Sequence, residues 1–129
     1  MKRKDFSSGT SWEKQLGYSR AVRVGNLIEV SGTVAVDDQG QLVGGKDPYA
    51  QTCFILKKIQ QAVEQAGGKL AQVIRTRYYV TDISCWEAIG RAHATFFLDC
   101  KPCMTLVEVS GLIGSDYLVE VEATAWTED

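Results

Sequence analysis

Few side chains in this sequence are equipped for acid–base or nucleophilic work, and the spacing of each one limits what it can do. The single histidine, His93, shares a stripe with Trp86, Ile89, Phe96 and Phe97 at helical spacing. That place suits a packed, hydrogen-bonded imidazole better than a general base. A Ser-His-Asp or Cys-His nucleophile would depend on the same ring. Cys100-Lys101-Pro102-Cys103 is a lone C-x-x-C. A zinc site asks for four ligands, and only His93, Cys85 or carboxylates at no recognised spacing would complete it, so no metal is expected. A redox pair belongs at a helix N-terminus, where the dipole lowers the thiol pKa, whereas this pair precedes a strand. Gly44-Gly45-Lys46 lacks the spacing of a phosphate loop. Glu120 and Glu122, two apart on a strand, share a face. They are open to acid–base work, but pairing with Arg across the sheet is the better reading from composition. Tyr18 and Arg20 flank a loop-to-strand junction, where ligand-contacting groups collect.

The elements that must position these groups can be read from turn signals and periodicity. Arg20 to Val24 and Leu27 to Val36 are β-rich runs split by Gly25-Asn26, a two-residue hairpin signal. Asp47-Pro48 opens a helix: Asp accepts free first-turn amides and Pro fits the first helical position. Cys53, Leu56, Ile59, Ala62/Val63 and Ala66 form its apolar stripe, and Gly67-Gly68 stops it. Val73 to Val80 is a strand. Ser84-Cys85-Trp86-Glu87 has capping-box spacing and starts a second helix. Cys103 to Val109 and Leu118 to Trp126 are the last strands. The order β-β-α-β-α-β-β predicts an α+β sheet with both helices on one face, residues 17–129 forming one domain. Residues 1–16, with apolar side chains after Met1 only at Phe6, Trp12 and Leu16, read as a loosely held arm.

Alternation then assigns the second sheet face. Val119, Val121, Ala123 and Ala125 should point at the helices, and Glu120, Glu122, Thr124 and Trp126 away from them. On the run from Leu27, Ile28, Val30 and Val34 separate from Leu27, Glu29, Ser31 and Thr33. On the run from Cys103, Thr105, Val107 and Val109 separate from Met104, Leu106 and Glu108. The uncovered face is expected to carry Leu27, Met104, Leu106 and Trp126 beside Glu29, Glu108, Glu120 and Glu122, with Arg75 and Arg77 opposite the acids. A solvated face would be more uniformly polar, so this one predicts an oligomer interface.

Composition bounds the rest. The chain has 129 residues, 45% of them apolar, and 14 basic against 16 acidic residues give a net charge of −2. That is one domain with enough apolar surface for a core, and it lacks the basic excess of a phosphate-neutralising nucleic-acid binder. No apolar run approaches the ~20 residues of a membrane helix, so no membrane partner is expected. The N-terminus has no apolar stretch after its basic start. Four cysteines in such a chain are expected as reduced thiols in a cytoplasm.

Several ordered blocks together carry a resemblance. Gly17-Tyr18-Ser19-Arg20-Ala21-Val22-Arg23-Val24-Gly25-Asn26 and Val30-Ser31-Gly32-Thr33 resemble the opening hairpin of the reactive intermediate deaminase (Rid, YjgF-like) family. The likeness continues through Ala50-Gln51-Thr52, Ala66-Gly67-Gly68, Val80-Thr81-Asp82-Ile83-Ser84, Phe96-Phe97, Pro102 with Val107-Glu108-Val109, and Val119-Glu120-Val121-Glu122-Ala123.

The resemblance implies a chorismate-mutase-like fold, a homotrimer with sheets facing the three-fold centre, and clefts between subunits. Its deaminase branch hydrolyses enamines and imines to 2-oxo acids and ammonia without a cofactor. That chemistry asks for a cation on the substrate carboxylate, a positioned water, and a carboxylate to move protons. The resemblance assigns Glu120 as the acid or water-positioning group, with Tyr18, Arg20, Ser31, Gly32, Arg77, Met104 and Leu106 at the ligand. In that branch an Arg stands two residues after the Pro that opens the penultimate strand, and here that residue is Met104. Methionine carries no charge and cannot grip a carboxylate. The sequence therefore implies a family member that binds or hydrolyses some other small carboxylate or carbonyl compound. An imine deaminase with its anion site moved to Arg20, Arg75 or Arg77 is the alternative. Ribonuclease activity, known for some relatives, fits a net-acidic chain poorly.

Overall fold

Turn chemistry and apolar periodicity fix most of the architecture. A computed structural model describes residues 1–128. Its strands are β1 (Arg3–Phe6), β2 (Ala21–Val24), β3 (Leu27–Thr33), β4 (Val73–Val80), β5 (Cys103–Glu108) and β6 (Val119–Trp126). Its helices are α1 (Ser11–Leu16), α2 (Pro48–Gln65) and α3 (Trp86–Phe97). One sheet takes the order β1-β2-β3-β6-β4-β5, antiparallel except for the β4–β5 pair, whose crossover is α3. From β2 onward the elements follow the expected β-β-α-β-α-β-β order.

The β2–β3 hairpin turns at Gly25, whose φ of 57° is left-handed, while Asn26 keeps a negative φ. Asp47 caps α2 by accepting from the Tyr49 amide at 2.9 Å, with Pro48 in the first turn. Ile55, Leu56, Ile59 and Val63 are buried completely, each contributing about 1.5–3 kcal/mol of apolar burial. They pack on Ile28, Val30, Tyr78, Val119 and Val121 of the sheet, and Ile89 and Phe97 of α3 join the same cluster. Both long helices thus cover one face.

Four features depart from the sequence reading. Residues 1–16 are not a loose arm: β1 adds to the sheet beside β2, and α1 buries Glu13. Asp82 caps the short 3-10 turn that precedes α3, accepting from the Ser84 amide at 2.9 Å and hydroxyl at 2.7 Å, while α3 itself begins after Cys85 with no side-chain cap, so Ser84 caps nothing; Trp86 is exposed. In β3 the pairing jumps from Val30↔Ala123 to Thr33↔Val121, placing Ser31 and Gly32 opposite the single residue Glu122. This bulge reverses the alternation, so Thr33 and Ala35 point inward where Val34 was expected. Finally, the register of β5 pairs Met104 with Thr76, Leu106 with Tyr78 and Glu108 with Val80, all on the helix side. The uncovered face instead carries Cys103, Thr105 and Val107 on that strand. Parallel pairing with a strand buried on alternate positions sets that phase, and alternation within β5 alone could not.

Candidate functional site

The bulge in β3 builds the site. Ser31 donates from its hydroxyl to the Ser19 carbonyl at 2.6 Å, and its amide donates to the Arg20 carbonyl at 3.0 Å. These bonds tie the Tyr18-Ser19-Arg20 segment to the bulge. At Gly32 the missing side chain matters: a Cβ there would overlap the Glu120 carboxylate, which fills that space. Arg20 lies behind the same backbone, its Nη1 donating to the Gly32 carbonyl at 3.1 Å and to Thr33 Oγ1 at 2.8 Å. The Arg20 guanidinium also stands 5.9 Å from the centre of the Tyr18 ring. Tyr18, Arg20, Ser31, Gly32 and Glu120 are therefore brought together by one bulge and the strand beside it.

Glu120 is half-buried, and burial raises its pKa above the ordinary glutamate value; the Arg20 charge opposes this and the Glu122 charge adds to it. Such a carboxyl holds its proton to higher pH than a solvated one, a useful property for a group that must both give and take a proton. Glu122 has a different partner. The Tyr79 hydroxyl donates to its carboxylate, and that hydrogen bond, with burial and the negative charge beside it, raises the Tyr79 pKa. The expected Arg–Glu pairing across the sheet does not form, although Arg77 and Glu122 are register partners. Among the described residues the Arg75 and Arg77 side chains make neither an ion pair nor a hydrogen bond.

The remaining expected site residues lie elsewhere. Arg77 sits on the same face as Glu120, one strand over. Met104 and Leu106 are on the opposite face, two strands away, Leu106 against the core and Met104 38% exposed. Within one chain Met104 and Glu120 cannot line a common pocket.

Sequence reading missed the group that holds Arg20 from behind. Glu13 is buried and accepts from Ser7 Oγ at 2.7 Å, the Ser8 amide at 3.1 Å, the Ser8 hydroxyl and Thr10 Oγ1 at 3.2 Å, with Arg20 Nε 3.7 Å away. Burial opposes its ionisation, but the bonds from Ser8, Ser7 and Thr10 outweigh burial and hold its pKa below the usual value. The signal was present: Thr10-Ser11-Trp12-Glu13 has capping-box spacing.

His93 is the packed imidazole expected from its stripe. Its Nδ1 meets the Tyr78 hydroxyl and its ring lies 4.7 Å from Phe97. Burial lowers the histidine pKa and raises that of the phenol, so both groups are held neutral in this hydrogen bond. Cys53, Cys85, Cys100 and Cys103 are free thiols. Among the described residues no three His, Cys, Asp or Glu side chains gather as metal ligands, and no helix is long and apolar enough to cross a membrane.

Comparison with known proteins bears on the family and the fold. The family described as Endoribonuclease L-PSP matches residues 10–127. A RutC family protein of Pyrococcus abyssi is 35% identical over 112 residues, covering 86% of this chain and 87% of that protein. The crystal structure of a YjgF/YER057c/UK114 family member from Mycobacterium tuberculosis is 45% identical, with a TM-score of 0.89, over 98% of this chain and 100% of that one. A Rid family protein of unknown function from Yersinia pestis is 26% identical with a TM-score of 0.84, over 98% and 100% of the two chains. The fold is the chorismate-mutase-like one shared by these structures.

Proposed function

This chain belongs to the YjgF/Rid (Endoribonuclease L-PSP) family, and from that premise we propose that it binds or hydrolyses a small carboxylate or carbonyl compound at Glu120 without acting as an efficient 2-imino acid deaminase. The observation that carries this reading is the Gly32–Glu120 contact. A half-buried carboxyl with a raised pKa rests on a bulge whose backbone is held by Arg20, with Tyr18 beside it.

Glu120 would orient a water on a polarised carbon and pass its proton to the leaving group. No cofactor enters that scheme. The element missing from it is a guanidinium fork for the substrate carboxylate, because Met104 takes the place where the family's deaminases carry Arg. We propose further that the chain works as a homotrimer with Glu120 of one subunit facing the Met104 strand of the next. Support comes from the opposite placement of these residues in one chain and from the uncovered sheet face bearing Leu27, Tyr79, Val107 and Trp126.

Ammonia release from a freshly generated 2-imino acid tests the reading. Little release by the wild-type protein supports it. Rapid release that is lost on replacing Arg77 would establish the second reading, a deaminase with a relocated anion site. What favours that second reading is Arg77 itself, a cation without a carboxylate partner among the described residues, on the same face as Glu120. RNA cleavage has less support: the chain is net acidic and its histidine is bonded to Tyr78.

A further inference from the structure

A groove of about 450 Å³ runs between α2 and residues 36–39, with Arg20, Phe54, Lys57, Lys58, Asp37 and Asp38 among the residues on its walls. It shares Arg20 with the site above, but neither Glu120, Tyr18 nor Gly32 lines it, so it opens as a separate groove.

Two of its cations are built into the fold. Lys58 Nζ donates to the Val36 carbonyl at 2.8 Å and the Val34 carbonyl at 3.3 Å, which uses two of its three protons. It stands 6.0 Å from the centre of the Phe54 ring. Arg20 has Nη1 engaged by Gly32 and Thr33 and Nε facing Glu13, while Nη2 makes no hydrogen bond among the described residues. Burial lowers the Lys58 pKa and the Arg20 charge lowers it further, outweighing the opposing charges of Asp38, Asp37 and Glu13. The two cations repel one another across a partly desolvated wall, and an anion between them would relieve both. With Lys57 the groove holds three cations against Asp37 and Asp38, and Asp37 already accepts from the Gln39 and Gln41 amides at 2.9 Å each. Glu13 compensates Arg20 from outside the groove, so the lining itself carries one cation in excess and matches at most a monoanion. The Nη2 protons of Arg20 and the third Lys58 proton suit the two oxygens of a carboxylate, and Phe54 offers apolar contact to the body attached to it. Ligand pockets of roughly 300–1,000 Å³ suit such molecules.

We propose that this groove is a second ligand site, taking a small monocarboxylate with an apolar or planar body. It does not rest on the reading of Glu120. The test is a titration of isotopically labelled protein with benzoate, acetate and inorganic phosphate, followed by backbone amide resonances. Saturable shifts at residues 36–39 and 54–61, stronger for benzoate than for acetate or phosphate, are expected. Lys57→Glu and Lys58→Met should each weaken benzoate about tenfold or more. Lys58→Met removes two carbonyl contacts, so the surface change Lys57→Glu keeps the test valid if that variant does not fold. Absence of saturation by about 20 mM benzoate, shifts at Tyr18 and Glu120 with none at residues 36–39 and 54–61, tighter binding of phosphate, or affinity unchanged by Lys57→Glu would each overturn the proposal.

Discussion

The Glu120 carboxylate occupies the volume that any side chain at position 32 would need, so Gly32 is set apart by that close approach and not by a positive φ. The colliding atoms belong to the far end of a flexible side chain, so a methyl at residue 32 would move the carboxylate and leave the strand in place. Gly32→Ala is expected to keep its thermal stability within about 1 kcal/mol of wild type while abolishing ligand effects that depend on Glu120. Calorimetry together with a ligand titration checks both halves. A variant that unfolds, or one that binds as before, would contradict this account.

Burial makes Glu120 costly to ionise, and the sign of its effect on stability follows. Its folded pKa lies above its unfolded value, so as pH rises from the ordinary glutamate value through the folded pKa the unfolded state loses its proton first. Stability falls across that window. Glu120→Gln should therefore raise the unfolding midpoint at pH 7 and leave it nearly unchanged near pH 4, with the loss of function common when a strained site is relaxed. Thermal scans at the two pH values measure the difference. An equal shift at both would remove ionisation as the cause.

Glu13 works in the opposite direction, and it bears on how much of this site was legible beforehand. Periodicity placed α2, the hairpin and the inward face of β6, because each is decided by neighbours in sequence. The resemblance placed Tyr18, Gly32 and Glu120. What escaped was everything set by a long-range partner. The polar N-terminal segment looked unheld because Glu13 finds its donors in a loop folded back from Ser7 to Thr10, and Arg20 at the entry to β2. The phase of β5 was read wrongly because Met104, Leu106 and Glu108 take their side from the register with β4, and Glu108 is further drawn there by the Ile83 amide at 2.9 Å. The bulge at Ser31-Gly32 is invisible to alternation because an extra residue changes the count that alternation relies on.

Since the folded pKa of Glu13 is depressed, its stabilisation is complete above the unfolded glutamate value and is lost as pH falls through that value toward the folded one. Glu13→Ala should cost about 1–3 kcal/mol at pH 7 by leaving the Ser8 donors and Arg20 Nε without their acceptor. The cost should shrink below pH 4. Denaturant unfolding at both pH values gives the comparison, and loss of amide protection confined to residues 3–16 would show the segment detaching. Unchanged protection there would sink the idea that Glu13 holds it.

The last prediction uses the separation of Met104 from Glu120. Both cannot serve one pocket within a chain, so if an Arg at position 104 restores deamination, it must act on the Glu120 of a neighbouring copy. Met104→Arg should raise hydrolysis of short 2-imino acids about tenfold or more, because a charge-assisted bond to the substrate carboxylate contributes about 1.5–3 kcal/mol. Position 104 is 38% exposed in the single chain, so an unpaired guanidinium there is tolerable until subunits pack against it. A double variant, Met104→Arg with Glu120→Gln, should be inactive alone, and so should the wild type. Mixing the two under conditions that exchange subunits should generate hybrid clefts with Arg from one copy and Glu120 from the other, and activity should appear only after exchange. Light scattering on the same samples fixes the assembly: a monomer at micromolar concentration would remove the shared cleft altogether. Activity of Met104→Arg without any gain on mixing would instead place both groups at one subunit's own site, against the register of β4 and β5.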